Sequence, residues 1–235
     1  MDEDYFSLQL SVAAHYAGAA DVPFGVAIDR CTNLRRRFNL WGSAGGARWK
    51  EFLDETNSIS NDHAATLSLC MKLHERRPRI KAGQSFGCFS FDPPDAAGVL
   101  RIHFVPPKDT SASPLASENV QARMSELRAL FSHVKRTEQV VSVRGVSWLY
   151  NIDAYKRLFP RSYTASIRAA SFPLHLNGSS TWGQVLNWRQ AVKPAMREAL
   201  LARLPTMQID SPWKIFPYQP LVACSDVDAF YELLD

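Results

Sequence analysis

The order of elements between Val99 and Val146 constrains the fold more than any other feature of the sequence. VLRIHFV and VVSVRGV are short runs of branched and aromatic residues, which are typical of buried strands. Between them, residues 120–135 repeat apolar side chains every three or four positions, which predicts an amphipathic helix. Two strands joined by a helix of this length run parallel, and the connection is almost always right-handed.

The rest of the chain divides into a helical beginning and a mixed remainder. Helical apolar spacing across residues 1–82 predicts a helical N-terminal portion packed on a main α/β domain, residues 83–235. Thr181 to Leu204 is predicted to be helical and bent or split at Pro194. IFPYQPLVAC is predicted to be a strand that its prolines place at a sheet edge. We therefore expect an α/β (or α+β) fold: a mixed sheet of about five to six strands with flanking helices.

Composition excludes some functional classes. A formal net charge of +4 is too small to indicate nucleic-acid binding, although it slightly favours an anionic ligand. The acidic start MDEDYF lacks the positive region of a signal peptide, and no apolar run approaches the roughly 20 residues of a membrane span. We expect a cytoplasmic protein with no membrane partner. The four cysteines form no CxxC pair and predict free thiols, and no histidine spacing predicts a metal site.

A binding site is expected where the two parallel strands end. In open α/β sheets, ligands collect beyond the carboxyl ends of such strands, where helix N-termini also point. The loop after the first strand, VPPKDTSASPLAS, has no glycine-rich nucleotide fingerprint. It still offers hydroxyl and ammonium groups that can hold a phosphate: Lys108, Thr110, Ser111, Ser113 and Ser117. The alternative interpretation is that Ser117 caps the following helix and the prolines stiffen a surface loop.

Charged side chains are predicted to share one face of the sheet. Strand alternation places Arg101 and His103 on the same face of the first strand, and Ser142 and Arg144 on the same face of the second. If the strands are neighbours, these side chains form a wall that suits an anion. Alternatively, the sheet leaves this face in water and the side chains are simply solvated.

The second segment, RGVSWLYN, combines a serine with large aromatic residues. A nucleophilic Ser147 would need a histidine base and an orienting acid, and the sequence lacks the GxSxG motif, so a hydrolase remains only a third functional class. Trp148, Tyr150 and Tyr155 are either core aromatics or ligand-stacking residues.

Two resemblances rest on the segment from Gly98 to Pro160. GVLRIHFVPP, SPL, RALFSHV and VVSVRGVSWLYNIDAYKRLFP together resemble a group of uncharacterised bacterial proteins with an SWLYN and AYxRLFP signature, over most of the chain from about Gly83. More distantly, about sixty residues look like the C-terminal half of GNAT-like acyltransferases, in which a strand, a PL loop, a helix and a strand leading into SWLL recur.

The distant resemblance implies a GNAT-type acyl-CoA N-acyltransferase. Such a protein has a mixed sheet splayed between two central strands, holds acyl-CoA in the gap, and uses a small amine to attack the thioester. The resemblance implies that the strand from Arg101 to Val105 aligns the pantetheine and that the loop from Lys108 to Ser117 takes the pyrophosphate.

The same resemblance assigns catalytic roles. Tyr150 or Ser147 would protonate the leaving thiolate, and His103 would act as the base. Arg144, Trp148 and Tyr155 would line the substrate side of the cleft. The alternative function is a non-enzymatic binding or interaction protein that uses the same cleft for an anionic ligand or partner.

Overall fold

The computed structural model of the protein describes residues 2–40, 42–59, 62–78, 84–107, 112–170 and 176–234. The chain forms two compact units. The helical unit comprises Met1–Ile80 and Phe172–Gln219, and the sheet unit comprises Lys81–Ser171 and Pro220–Asp235. The helical unit thus takes in a segment that the sequence placed in the α/β domain.

The helical unit is built on amphipathic helices that share one apolar core. Phe6, Phe38 and Trp182 are fully or almost fully buried in this core, because large aromatic rings bury the most apolar surface. Asp62 caps one helix by accepting a hydrogen bond from the Ala65 backbone N–H at 2.9 Å. The helices are α1 (Asp2–Ala20), α2 (Phe24–Cys31), α3 (Leu34–Arg37), α4 (Gly42–Ser58), α5 (His63–Glu75), and, in the later segment, α9 (Ser179–Gly183) and α10 (Pro194–Arg203).

The sheet unit contains one mixed six-stranded sheet, which confirms the predicted fold class. Its strand order is β1-β2-β3-β4-β6-β5, and every neighbouring pair is antiparallel except β3 and β4. The strands are β1 (Ser85–Phe86), β2 (Phe89–Asp92), β3 (Val99–Phe104), β4 (Ser142–Ser147), β5 (Arg168–Ala169) and β6 (Leu221–Asp226). The helices are α6 (Val120–Thr137), α7 (Asp153–Lys156), α8 (Arg161–Ala165) and α11 (Asp228–Tyr231).

Helix α6 connects β3 to β4, and these strands are parallel, as the sequence predicted. Leu127, Leu130, Phe131 and Val134 are fully buried on one side of α6 and share a core with the apolar residues of the sheet. We call the sheet face that joins this core the core face; it carries Leu100, Ile102, Val143, Gly145 and Ala223. The opposite face is called the charged face; it carries Asp92, Arg101, His103, Arg144 and Asp226.

Strands β1 and β2 form a tight hairpin whose turn contains Gly87. Gly87 has a positive φ of 61°, and a Cβ there would lie 2.0 Å from the Cδ atom of Glu126. The next backbone N–H, that of Cys88, donates a 3.0 Å hydrogen bond to the Glu126 carboxylate. Glycine is therefore required for both the turn and the close approach of α6.

The chain leaves the sheet unit after β5 and returns to it before β6. Between the two strands it contributes residues 172–219 to the helical unit. The exit and return points are close in space, because the Ala170 N–H donates to the Pro220 carbonyl oxygen at 3.4 Å. β5 and β6 therefore pair as an antiparallel hairpin with a long insertion.

Two predictions for the C-terminal part need correction. The helix predicted over residues 181–204, bent or split at Pro194, is split: Pro194 begins α10 at its first turn, where a missing N–H costs nothing, but α9 already ends at Gly183, and Leu186 and Val192 between them form a β-bridge. The last strand, β6, lies between β4 and β5 rather than at an edge. The prolines of this segment remove no hydrogen bond from the sheet, because the strand begins after Pro220.

Candidate functional site

The centre of the candidate site is the parallel pair β3 and β4. Their register pairs Val99 with Ser142, Leu100 with Val143 and Arg101 with Arg144. Beyond that last pair each strand continues without a registered partner in the other, over residues 102–104 and residues 145–147. The carboxyl ends of these strands therefore flank an unpaired stretch at the middle of the sheet.

The charged face brings together three predicted site residues. Arg101 and His103 alternate on β3 as predicted, and Arg144 is the direct neighbour of Arg101 on β4. Arg101 and His103 are exposed, whereas Arg144 is half-buried. The two strands thus place these side chains on one face of the sheet.

His103 has a partner that sequence reasoning missed. Its Nε2 atom lies 2.9 Å from the Oδ2 atom of Asp92, the last residue of β2. In the β2–β3 register Asp92 is opposite Arg101, so His103 is its diagonal neighbour on the same face. This contact could not be predicted, because the length of the turn between β2 and β3 does not show where their pairing begins.

The two arginines are like charges side by side. Arg101 and Arg144 are Cα partners, and within the described parts of the chain neither forms an ion pair. Like charges directly opposite each other in a sheet are destabilising. An anion held between the two guanidinium groups would offset this repulsion and bond to both groups through charge-assisted hydrogen bonds.

A cluster of three buried tyrosines lies over the core face. The Tyr150 and Tyr163 hydroxyls are 2.7 Å apart, and the Tyr150 and Tyr155 rings pack with their centroids 5.3 Å apart. A Cβ on Gly145 would lie 1.9 Å from the Tyr150 hydroxyl oxygen, so only glycine leaves room for the cluster. Gly145 is the first residue of β4 beyond the last registered pair with β3.

Burial controls the protonation of this cluster. Desolvation, followed by the neighbouring Tyr163 hydroxyl, raises the pKa of Tyr150 well above its ordinary value, and desolvation does the same for Tyr155. Both phenols therefore remain protonated near neutral pH and can donate hydrogen bonds. Tyr163 was not predicted as a site residue; it lies in α8, and the buried Phe159 precedes that helix.

Ser147 caps the turn that carries Tyr150. Its Oγ atom accepts a 3.1 Å hydrogen bond from the Leu149 N–H at the start of the 3-10 turn Trp148–Asn151. Trp148 is half-buried in the same turn. Because the 3-10 turn begins directly after β4, the serine that caps it and the aromatic residues that it carries are neighbours in the sequence.

The structure describes the loop after β3 except for residues 108–111. Lys108, Thr110 and Ser111, predicted to bind a phosphate, lie outside the described residues. The Ser113 carbonyl accepts hydrogen bonds from the Ala116 N–H and the Asn119 side chain, at 3.1 and 2.8 Å. Ser117 is exposed and donates to Glu118 at 3.3 Å. The position before α6 is Asn119, so Ser117 does not cap that helix.

The predicted site residues thus form two groups on opposite faces of the sheet. Arg101, His103 and Arg144 lie on the charged face, and Tyr150 and Tyr155 lie over the core face. Both groups border the stretch where β3 and β4 are no longer paired. Chemistry that uses both groups therefore requires a ligand that reaches into this stretch.

Across the described ranges, no helix is both long and apolar enough to cross a membrane. In the same residues, no group of three or more histidine, cysteine or acidic side chains is placed to hold a metal ion. The cysteines are free, and burial raises the thiol pKa to about 12 for Cys31 and Cys70. A scan against protein-family models found no match, and searches of curated proteins and of solved structures found none either.

Proposed function

We propose that the sheet unit is an acyltransferase-like protein that transfers an acyl group from acyl-CoA to a small amine. The observation that carries this proposal is the β3–β4 pair, the one parallel pair in the described sheet, whose registered pairing stops at Arg101 and Arg144. The resemblance to GNAT-like acyltransferases implies a sheet splayed between two central strands with the acyl-CoA in the gap. An unpaired stretch at this place supports that use.

The charged face supplies the base in this proposal. His103 accepts a proton from the incoming ammonium group, and Asp92 orients the imidazole through the 2.9 Å contact. The freed amine nitrogen attacks the thioester carbonyl carbon. The carbon–sulfur bond then breaks as nitrogen loses its second proton, which gives an amide and a CoA thiolate; this second proton replaces the one that Tyr150 gives to the thiolate. Asp92 is a positioning residue because it acts through His103.

The tyrosine cluster supplies the acid. Tyr150 stays protonated because burial raises its pKa, and its hydroxyl lies over Gly145, where the unpaired stretch begins. It can donate a proton to the leaving thiolate. The Tyr163 hydroxyl is in hydrogen-bond contact with it and can stabilise the phenolate that forms for a moment. We favour Tyr150 over Ser147 for this role, because the Ser147 oxygen already caps the turn.

The second candidate is a binding protein for an anionic ligand. Adjacent Arg101 and Arg144, without ion pairs in the described part of the chain, favour it independently of any acyl transfer. Residues 99–144 contain no glycine, so a phosphate there would be held by side chains rather than by a glycine-rich loop.

Thermal stability in the presence of CoA, acetyl-CoA or inorganic pyrophosphate tests both candidates. A ligand at one hundred times its Kd stabilises the folded state by about 2.7 kcal/mol, so the midpoint must rise with concentration. Stabilisation by CoA, with thiol release from acetyl-CoA when a panel of primary amines is added, supports the acyltransferase. Stabilisation by pyrophosphate alone supports the anion-binding protein. No shift at millimolar CoA or pyrophosphate rejects both.

Variants separate the proposed roles. Arg144→Ala is expected to weaken CoA or pyrophosphate binding by about 1.5 to 3 kcal/mol, the value of a hydrogen bond to a charged group, whereas the exposed Arg136→Ala on α6 is expected to change nothing. His103→Gln is expected to lower kcat without changing CoA affinity. Asp92→Asn is expected to lower kcat less and to shift the pH profile. If Arg144→Ala binds CoA as tightly as the unsubstituted protein does, Arg144 is not part of the binding site.

A further inference from the structure

The helical unit contains a cavity of about 560 Å³ that the proposed function does not use. It is bounded by α2, by α4 and by the 3-10 turn Pro212–Ile215. Pockets that bind small molecules have volumes of roughly 300 to 1,000 Å³, so this cavity is of the right size. Its walls are helices and a turn of one compact unit.

The two helices meet closely at two residues that line the cavity. The Gly25 N–H at the start of α2 donates a 2.7 Å hydrogen bond to the Asn57 side-chain oxygen on α4. A Cβ on Gly25 would lie 2.7 Å from the Leu53 carbonyl oxygen, so glycine permits this approach. The contact fixes the spacing of the two walls before any ligand enters.

The cavity has an apolar interior. Leu53 and Leu176 contribute aliphatic surface, and Pro212 and Trp213 of the 3-10 turn also line the cavity. Leu176 and Pro212 are buried, whereas Val26, at the rim, is 47% exposed. Such a surface suits an aliphatic or aromatic side chain of a ligand.

Two carboxylates lie at the rim. Asp29 accepts a 2.7 Å hydrogen bond from the Trp49 indole N–H, which holds its carboxylate in one orientation. Asp54 is exposed, and in the described chain it forms no ion pair. One carboxylate is therefore fixed and the other is available, an arrangement that suits an ammonium group.

Two cationic side chains lie at the same rim. The Arg30 guanidinium carbon stacks over the Tyr16 ring, 5.5 Å from its centroid, so this side chain is held in place. Lys50 is exposed and is likewise absent from the ion pairs of the described residues. Charges of both signs around an apolar interior match a ligand that carries both charges itself.

We propose that this cavity binds a zwitterionic peptide-like molecule of about dipeptide size with an apolar side chain. The apolar side chain packs between Leu53 and Trp213, the ammonium group bonds to Asp54 and Asp29, and the carboxylate bonds to Lys50. A single amino acid would leave much of the volume unfilled. This site is independent of the acyl-transfer proposal, which concerns the sheet unit alone.

The full-length protein can be titrated with L-leucyl-L-phenylalanine and followed by calorimetry and tryptophan emission. The matched probes are the N-acetylated dipeptide, which lacks the ammonium group, and the dipeptide amide, which lacks the carboxylate. We expect each blocked probe to bind at least tenfold more weakly than the zwitterion. Equal binding of all three probes, or no binding of the zwitterion at millimolar concentration, overturns the proposal.

Variants of exposed residues test whether the dipeptide binds in the cavity. Asp54→Asn and Lys50→Gln change exposed side chains and are expected to weaken zwitterion binding about fivefold or more, whereas Glu55→Gln, the exposed neighbour of Asp54 on α4, is expected to leave it unchanged. Val26→Trp is expected to occlude the rim and abolish binding at an unchanged thermal midpoint. If Glu55→Gln weakens binding as much as Asp54→Asn, or if Val26→Trp binds normally, the molecule binds elsewhere and the proposal fails.

Discussion

The helical unit and the sheet unit satisfy their buried polar groups in different ways. Among the described residues, and with tyrosines set apart, every buried polar or charged side chain except Arg123 belongs to the helical unit: Gln9, Thr32, Asn33, Thr56, Thr66, Thr181, Gln184 and Ser211. In the sheet unit, buried oxygens belong instead to tyrosines, and the core is rich in aromatic rings.

Backbone geometry explains the difference. A sheet satisfies N–H and C=O groups by strand pairing, whereas the ends and connections of many helices leave these groups without partners. Side chains fill that role in the helical unit. The Asn33 N–H donates to Gln9 at 2.8 Å, and Gln184 both donates to the Tyr218 carbonyl at 2.7 Å and accepts from its N–H at 3.0 Å. The two units should therefore respond differently to loss of volume and loss of hydrogen bonds.

Gly145→Ala should give the largest effect, in the sheet unit. The new Cβ would lie 1.9 Å from the Tyr150 hydroxyl oxygen and 2.4 Å from that of Tyr163, and both tyrosines are buried. Because neither ring has room to move, we expect a loss of about 3 kcal/mol or more in the free energy of unfolding. Urea unfolding measures this loss.

Gly18→Ala is the matched control, since a Cβ there meets no atom within 4 Å and Gly18 lies within α1. Alanine should stabilise the helix by up to about 1 kcal/mol. If Gly145→Ala costs no more than this control, the tyrosine cluster is not packed against β4.

Gln184→Leu tests the helical unit. Leucine has a side chain of similar size to glutamine but forms no hydrogen bonds. The substitution therefore removes the two bonds that the Gln184 side chain makes with the N–H and the carbonyl of Tyr218. We expect a loss of about 2 kcal/mol in unfolding free energy, because unsatisfied backbone groups cost about 1 to 3 kcal/mol. The exposed Gln121→Leu on α6 should change stability little. Equal effects at the two positions would remove the contrast between the units.

Tyr163→Phe should have a smaller effect. It removes the hydroxyl that lies 2.7 Å from the Tyr150 hydroxyl but keeps the ring contacts with Phe159 and Phe230. The expected loss is about 1 kcal/mol, the net value of one hydrogen bond. Tyr231→Phe, whose ring packs under Lys135, serves as the control. A neutral Tyr163→Phe would mean that Tyr150 finds another partner for its hydroxyl.

The smallest expected effect is a pH dependence confined to the helical unit. Desolvation, followed by Arg77, lowers the pKa of His74 below its ordinary value of 6.5, so the folded state favours the neutral imidazole. Because the unfolded state binds the proton more readily, this stabilisation is complete above about pH 6.5 and is lost as the pH falls through the folded-state pKa.

Unfolding free energies measured between pH 7.5 and 5 check the His74 prediction. The His74→Gln variant should lose less stability on acidification than the natural chain does. Identical pH dependence in the two proteins would show that another group is responsible.

Sequence patterns predicted the sheet unit better than the helical one. Alternation in β3 and β4 fixes which side chains share a face, so the positions of Arg101, His103 and Arg144 could be predicted. Asp92 was missed because its contact with His103 depends on the β2–β3 register, which no local pattern determines. The pairing of Tyr150 with Tyr163 depends on how α8 packs, and thus on tertiary contacts alone.

The helical unit was harder to predict because its core is assembled from distant parts of the chain. Trp182 donates its indole N–H to the Cys31 carbonyl at 3.0 Å, across most of the sequence. Helical spacing shows which side of each helix is apolar, but not that residues 176–216 complete the core formed by α1, α2 and α4. The cavity beside Trp213 has the same origin and left no local signal in the sequence.

The insertion between β5 and β6 has a consequence for synthesis on the ribosome. The N-terminal helices emerge long before Trp182 and Phe216, which complete their core, and the other five strands emerge before β6, which must lie next to β4. Neither unit can therefore close until the C-terminal part of the chain has been made. During translation the nascent protein exposes two incomplete apolar surfaces at once, which makes it a client for chaperones that shield such surfaces until release.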